Sequence, residues 1–252
     1  MIAVQNISKQ FGKFKVLNHV SFECRRGECI ALIGPNGSGK TTVIKSMLGM
    51  VIPDSGTITF EGHDIAHDWR YRNRIGYMPQ IGRYPENMSI GQVLDMMQDI
   101  RKVPENRIDH DLFEAFKIKS LLHKRMGTLS GGTRQKVSAC LAFMFGAQAL
   151  ILDEPSAGLD PLSSEILREK ILAEKAKNKL VIITSHILSE LDELVTEAIY
   201  MQDGSLRFHK TMDELQSQTG ESKLARAIAA AIRQCDRDAA GVDEGHFKTG
   251  RL

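Results

Sequence analysis

The sequence predicts an α/β fold in which a mixed, mainly parallel sheet is covered by helices. Three observations carry this. A β run at residues 28–33 feeds a glycine cluster at 34–39 and then a helix at 41–48. Strand character returns at 150–152 and 180–184, each time followed by a helix-like stretch, which is the βαβ rhythm of a buried parallel sheet. Between them, from about Ser89 to Phe145, the pattern turns helical, with Ile90, Val93, Leu94 and Met97 spaced as one apolar face. That block reads as an inserted helical lobe.

The remaining elements follow in order. Residues 2–7 and 20–24 are short, apolar-rich strands, and Ser55-Gly56 turns the chain into another strand at 57–61. Asp203-Gly204, between 198–202 and 205–209, reads as a hairpin turn. Leu224, Ile228 and Ile232 stand four apart on a short Ala-rich helix, a packing appendage. The polar segment 235–252 is expected to be a mobile tail.

Composition bounds the function. With 252 residues, 42% of them hydrophobic and 25% charged, the chain can bury a core without disulfides or metals. Lys and Arg number 33 against 31 Asp and Glu, so net charge predicts no nucleic-acid partner. The cysteines at 24, 29, 140 and 235 have neither CxxC nor zinc-finger spacing and suit a reducing compartment. Cys24 and Cys29 flank a turn and could lie close together; buried free thiols are the simpler reading. The opening MIAVQNISKQ lacks the basic-then-apolar order of a signal peptide, and the most apolar run, 139–152, is too short to span a bilayer. The chain is therefore expected to stay in the cytosol. Methionines at 47, 50, 78, 88, 96 and 97, with His63 and His67, read as core filler or docking surface rather than a soft-metal site.

The strongest local signal is Gly34-Pro35-Asn36-Gly37-Ser38-Gly39-Lys40-Thr41, a complete GxxxxGK[ST] phosphate loop between a strand and a helix, followed by Thr42. Glycines let backbone N–H groups curl around phosphates, and the helix N-terminus adds partial positive charge. Lys40 is placed to reach the β- and γ-phosphates, and the Thr41 hydroxyl to ligate Mg²⁺. More than a hundred residues later the apolar strand at 150–152 ends in Asp153-Glu154. Alone, two acids there could equally be a solvated edge or a helix cap. Paired with the phosphate loop, Asp153 is assigned to the metal and Glu154 to the general base.

Between these lies Leu129-Ser130-Gly131-Gly132-Thr133-Arg134-Gln135-Lys136, and with it the sequence resembles the ABC ATPase family. Tyr77-Met78-Pro79-Gln80 is similar to the family's Q-loop, the residues at 156–160 (SAGLD) to its D-loop, and Thr184-Ser185-His186 to its switch histidine. All six motifs fall in family order, over about residues 2–215. The resemblance implies a P-loop NTPase core with an antiparallel β subdomain and an inserted helical subdomain. The expected ATP-binding domain is residues 1–220, with the helical part at about 89–145, and 221–252 as a short helix and tail.

By the same resemblance, Ser130, Gly131 and Gly132 face ATP held on the phosphate loop of a second ABC ATPase subunit, expected to be another copy of this chain. Gln80 senses the metal and the attacking water, His186 contacts the γ-phosphate, and Asp160 communicates across the interface. Phe11 matches the family's adenine-stacking aromatic, with Phe14 as the rival. Thr133 stands where the family often has Gln, and is expected to leave the Ser-Gly-Gly untouched. The function implied is ATP hydrolysis powering an integral-membrane transporter subunit, with this chain peripheral on the inner face of the membrane, ATP and Mg²⁺ as ligands, and no nucleic acid. The partner's docking surface is expected to include Ile81, Tyr84, Met88 and Ile90. A soluble ABC ATPase with a non-transport role is the alternative. Within the family the compact form resembles subunits of drug-, lipid- or ion-exporting systems and the ATPase of nitrous oxide reductase copper maturation.

Overall fold

The computed structural model describes residues 1–245, with side chains described through Cys235. The chain opens as a hairpin, β1 (Ile2–Phe11) and β2 (Phe14–Cys24). Both strands outrun the apolar segments expected at 2–7 and 20–24. Register continues through Lys9↔Leu17 and Gln10↔Lys15 to Phe11↔Phe14, where Gly12 turns the chain at φ +59°. Backbone pairing rather than apolar content extends them, and this was invisible to a hydrophobicity reading.

β3 (Cys29–Ile33) follows, buried along its whole length, then α1 (Lys40–Met47). Ser55-Gly56, expected as a turn, instead opens β4 (Ser55–Phe60), which pairs antiparallel with β1 through Val4↔Ile58 and Ile2↔Phe60. β5 (His63–Asp64) completes a four-stranded antiparallel sheet ordered β2-β1-β4-β5. β6 (Ile75–Met78) returns the chain to the central sheet.

The inserted lobe has helices at its two ends, with mostly 3₁₀ turns between. α2 (Ile90–Arg101) starts on a reciprocal cap, Ser89 with Gln92, and buries Ile90, Val93 and Leu94 as their spacing required. α3 (Asp111–Ala115) is a single short turn, and α4 (Gly131–Phe143) closes the lobe. Then come β7 (Ala149–Asp153), α5 (Pro161–Ala176), β8 (Leu180–Thr184), β9 (Glu197–Gln202), β10 (Ser205–Thr211), α6 (Met212–Thr219) and α7 (Leu224–Gly245). α7 runs 22 residues, so the short helix expected there is corrected; the remaining tail, 246–252, lies outside the described residues.

The six-stranded sheet is ordered β10-β9-β3-β8-β7-β6, parallel except for the β9–β10 hairpin. Its strands alternate between two cores, as a period of two demands. Cys29, Ala31, Leu150, Leu152, Val181 and Ile183 face the helical lobe, α5 and α7. Ile30, Leu32, Ala149, Ile151, Leu180 and Ile182 face α1 and the antiparallel sheet. With both faces covered, these strands read as continuous apolar runs. All four cysteines are free; Cys24, Cys29 and Cys140 are buried, and burial pushes the Cys29 and Cys140 thiols up to about 12.

The lobe is fastened to α5 by buried charge. Lys170 reaches Asp109 and, at 2.7 Å, Asp111, both in the lobe, and lies 3.4 Å from Glu174 one turn along its own helix. Glu174, almost fully buried, also meets Lys177 at 2.8 Å and Lys179. Burial alone would raise the Glu174 carboxyl, but the surrounding lysines hold it below its ordinary value. A depressed carboxyl stabilises the fold fully above its unfolded pKa and loses that contribution as pH falls through the folded one. Lys170→Ala is expected to cost about 2 kcal/mol near neutrality, because it removes the charged hydrogen bonds to Asp109 and Asp111 while Glu174 keeps Lys177 and Lys179. Chemical denaturation should detect this, with the difference from the unmodified chain shrinking as the carboxylates are protonated in acid.

Candidate functional site

The phosphate loop forms because β3 ends buried in the sheet and α1 begins after only six intervening residues, and the backbone between is squeezed. A Cβ on Gly34 would lie 2.2 Å from the Met201 carbonyl oxygen, and one on Gly39 would lie 2.8 Å from both Leu17 Cδ2 and Val16 O. Gly39, at φ +100°, occupies the N-cap of α1 with no side-chain cap, leaving the first amides of the helix open. The hairpin turn at Asp203-Gly204 props the loop from beneath: Gly204 N donates to Ser38 O at 3.2 Å, and Gly204 O accepts from Asn18 N at 2.8 Å.

A cavity of about 390 Å³ opens over this loop. Asn36, Gly37, Ser38, Gly39, Lys40, Thr41 and Thr42 line one side, and Gln80, Asp153, Glu154 and His186 the other, with Val16 at the edge. Gly34 and Pro35 lie behind the lining, their carbonyls accepting from Lys40 Nζ at 2.7 and 2.9 Å. Burial lowers the Lys40 pKa, while the Glu154 and Asp153 carboxylates partly restore it. Asp153 is buried and accepts from the Thr184 hydroxyl at 2.7 Å. Glu154, at φ +51°, points its carboxylate to His186 Nε2, 2.9 Å away.

This arrangement fits a nucleoside triphosphate with a hard cation. The loop has the glycines that close approach demands, and the buried Ser38 hydroxyl has no hydrogen-bond partner among the described residues. One cation, Lys40, faces an oxygen donor set of Thr41, Gln80 and Asp153, the chemistry Mg²⁺ prefers.

The other expected site residues lie outside the cavity. Ser130, the N-cap of α4, accepts from Thr133 N at 3.3 Å, and the two hydroxyls are 2.9 Å apart. Thr133 thus contacts Ser130 through its side chain as well as its amide. Gly131 faces open space; a Cβ on Gly132 would lie 2.7 Å from Gly158 O. Asp160 caps α5 by accepting from Ser163 N at 2.9 Å and pairs with Lys136 Nζ of α4 at 2.8 Å; Lys136 first, then Ser163, hold its carboxyl far below the ordinary range. Phe11 and Phe14 are both exposed at the β1–β2 tip, with Lys9 Nζ 5.4 Å from the Phe11 ring centre. Of the expected docking residues, Ile81 is exposed, Tyr84 and Met88 are half-buried, and Ile90 is fully buried at the start of α2, so it is removed from that surface.

The sequence matches the ABC transporter family over residues 17–157, more than half of its length. The chain belongs to the ABC transporter family. Among relatives of this ABC subunit, the Nod factor export ATP-binding protein I of Ralstonia nicotianae is 30% identical over 208 residues, 81% of this chain; the chain spans 65% of that relative's length. The lantibiotic transport ATP-binding protein SrtF of Streptococcus pyogenes is 32% identical over 215 residues, 84% of this chain and 92% of SrtF. A solved ATP-binding subunit of an ABC transporter superposes with a TM-score of 0.85 at 28% identity, covering 92% of this chain and 98% of the other. The fold expected from the sequence is therefore that of an ABC cassette.

Three residues touching this site were not singled out. Val16 lines the cavity edge, Gln135 donates to backbone at 154–155, and the Thr184 hydroxyl, known only as part of a motif, contacts both acids. Gln135 had one signal, its place in the 129–136 motif. Gly34→Ala is expected to weaken ATP binding at least about tenfold by forcing the loop off Met201 O; titration with a fluorescent nucleotide would measure it.

Proposed function

We propose that the chain binds and hydrolyses ATP and thereby powers substrate movement by a separate integral-membrane subunit, through ATP-driven closure of two copies. The observation that carries this reading is that the expected site residues fall in two separate places on the chain. The phosphate loop and both acids line one cavity, whereas the exposed start of α4 at Ser130-Gly131-Gly132 lies outside it. A helix N-terminus with open amides attracts anions, and the phosphate it would meet is on the mate's loop.

In this reading the backbone amides of 36–41 and the Lys40 ammonium hold the phosphates, Lys40 giving up its carbonyl partners to do so. Phe11, with Phe14 as the alternative, stacks on adenine. Thr41, Gln80 and Asp153 hold Mg²⁺, which when bound neutralises phosphate charge. Glu154 takes a proton from the attacking water on its carboxylate, and His186, already 2.9 Å from it, orients that carboxylate and contacts the γ-phosphate. Asp160 relays between the copies from the head of α5. The chain would work at the inner face of the cell membrane, held there by its membrane partner and engaging no nucleic acid. No described helix is long and apolar enough to cross the membrane itself.

Glu154→Gln should keep ATP affinity within about threefold but slow turnover at least about a hundredfold, the scale of losing a general base, and accumulate as a dimer on size exclusion. Lys40→Ala should instead lose binding. Equal, unimpaired hydrolysis by both would contradict these roles. The paired geometry is tested by crosslinking. Ser38 is buried, so Asn36→Cys and Ser130→Cys are the pair to place in opposite copies, in a Cys235→Ser background because the other thiols are buried. A short bis-maleimide should join them only with ATP present, and failure to do so would remove the head-to-tail arrangement.

A further inference from the structure

Glu154 is held in an unusual backbone conformation. Its φ of +51° lies in the left-handed region that residues with a Cβ avoid, and it precedes Pro155, which disfavours helical backbone at the residue before it. Such a conformation persists only where neighbours over-determine it.

Two side chains hold the main chain before and after residue 154. The buried Thr184 hydroxyl accepts from Glu154 N at 2.9 Å and donates its single proton to Asp153 Oδ1 at 2.7 Å, so one oxygen fixes the base's amide and the neighbouring acid together. The Thr184 carbonyl accepts from the same amide at 3.2 Å. On the C-terminal side Gln135, 4% exposed, directs Nε2 at the carbonyl oxygens of Glu154, at 3.4 Å, and Pro155, at 3.3 Å. Its two N–H groups match those two acceptors, and no other described side chain reaches either carbonyl. Gln135 belongs to α4, five residues from the Ser130 cap.

We propose that Gln135 and Thr184 are positioning residues for the general base: together they hold residue 154 in the left-handed conformation that aims its carboxylate at His186. Through Gln135, moreover, the helix opening on Ser130-Gly131-Gly132 is tied mechanically to that carboxylate. An anion drawing on the tip of α4 therefore pulls on the peptide of the base in the same chain. This inference rests on the proposed role of Glu154 as base and adds to it a line of communication from the edge that meets the partner copy to the reacting carboxylate.

The test is a double-mutant cycle on the full chain, read by steady-state and single-turnover ATP hydrolysis. Gln135→Leu removes both donors at near-constant volume and should lower kcat by about ten- to a hundredfold, the loss typical of a catalytic group displaced by a fraction of an ångström or more, with KM for ATP within twofold. In the Glu154→Gln background, where no base remains to be aimed, the same substitution should change the residual single-turnover rate by less than about twofold. A merely structural role would produce the same fractional loss in both backgrounds and would overturn the proposal, as would a rise in KM at unchanged kcat. Thr184→Val should also lower kcat, and Thr184→Ser, which restores the hydroxyl, should recover at least about half of the rate. Equal impairment of the Val and Ser variants would refute the Thr184 arm. Unimpaired hydrolysis by Glu154→Gln alone would overturn the assignment of the base, and this inference with it, whereas a Glu154-dependent enzyme with additive Gln135 losses would overturn this inference alone.

Discussion

The whole architecture depends on how closely the backbone of the phosphate loop approaches its neighbours. Gly34 lies against the Met201 carbonyl of β9, and Gly39 against Val16 and Leu17 of β2. The loop is therefore clasped between the central sheet and the antiparallel sheet, and only a chain without Cβ atoms at these points can pass. β9 must then sit beside β3, and the β9–β10 hairpin must end in a turn tight enough for Gly204 to donate to Ser38 O. Asp203 and Gly204, both at positive φ, supply that turn. One wall of the cavity is thus main chain from the glycine loop, and Lys40 is the basic residue on that wall among the described residues.

Much of this was legible in the sequence. The glycine spacing at 34–39 was informative because each glycine answers a steric demand, and the runs at 150–152 and 180–184 because a strand buried on both faces has no choice but to be apolar. The Asp203-Gly204 turn was readable for the same kind of reason, since few residue pairs tolerate two positive φ values in succession. What was not legible depends on partners distant in sequence. The extension of β1 and β2 came from backbone pairing across residues such as Lys9, Gln10 and Lys15 that carry no apolar signal. Ile90 was placed both on the apolar face of its helix and on the docking surface, and only the first holds, since it lies buried behind the helix cap at Ser89. The hydroxyl contact of Thr133 with Ser130 belongs to the first turn of α4 and has no sequence signal. Gln135 shows in the sequence only as one letter of the 129–136 motif, because what it holds is the backbone of residues nearly twenty positions away.

The charge distribution separates two tasks. Around the cavity, polar groups are left with few or flexible partners: Lys40 is held by carbonyls, the Ser38 hydroxyl has none among the described residues, and His186 is exposed. Between the lobe and α5 the opposite holds: Lys170 and Glu174 are buried, and each is met by opposite charge, Lys170 by Asp109 at the margin and by the exposed Asp111. Unsatisfied polarity is costly and is tolerated where a ligand completes it; satisfied buried charge costs most to break one partner at a time. The first pattern marks a place that changes its contacts, and the second a place that keeps them.

α5 carries two attachments to the lobe, Asp160 to Lys136 at its head and Lys170 to Asp109 and Asp111 ten residues on, a separation of about 15 Å along the helix at 1.5 Å per residue. Two anchored points define a line. Any tilt of the lobe that spares both attachments must swing about that line, like a door on two pins, so one rod of the core sets both the direction in which the lobe can travel and the plane it sweeps.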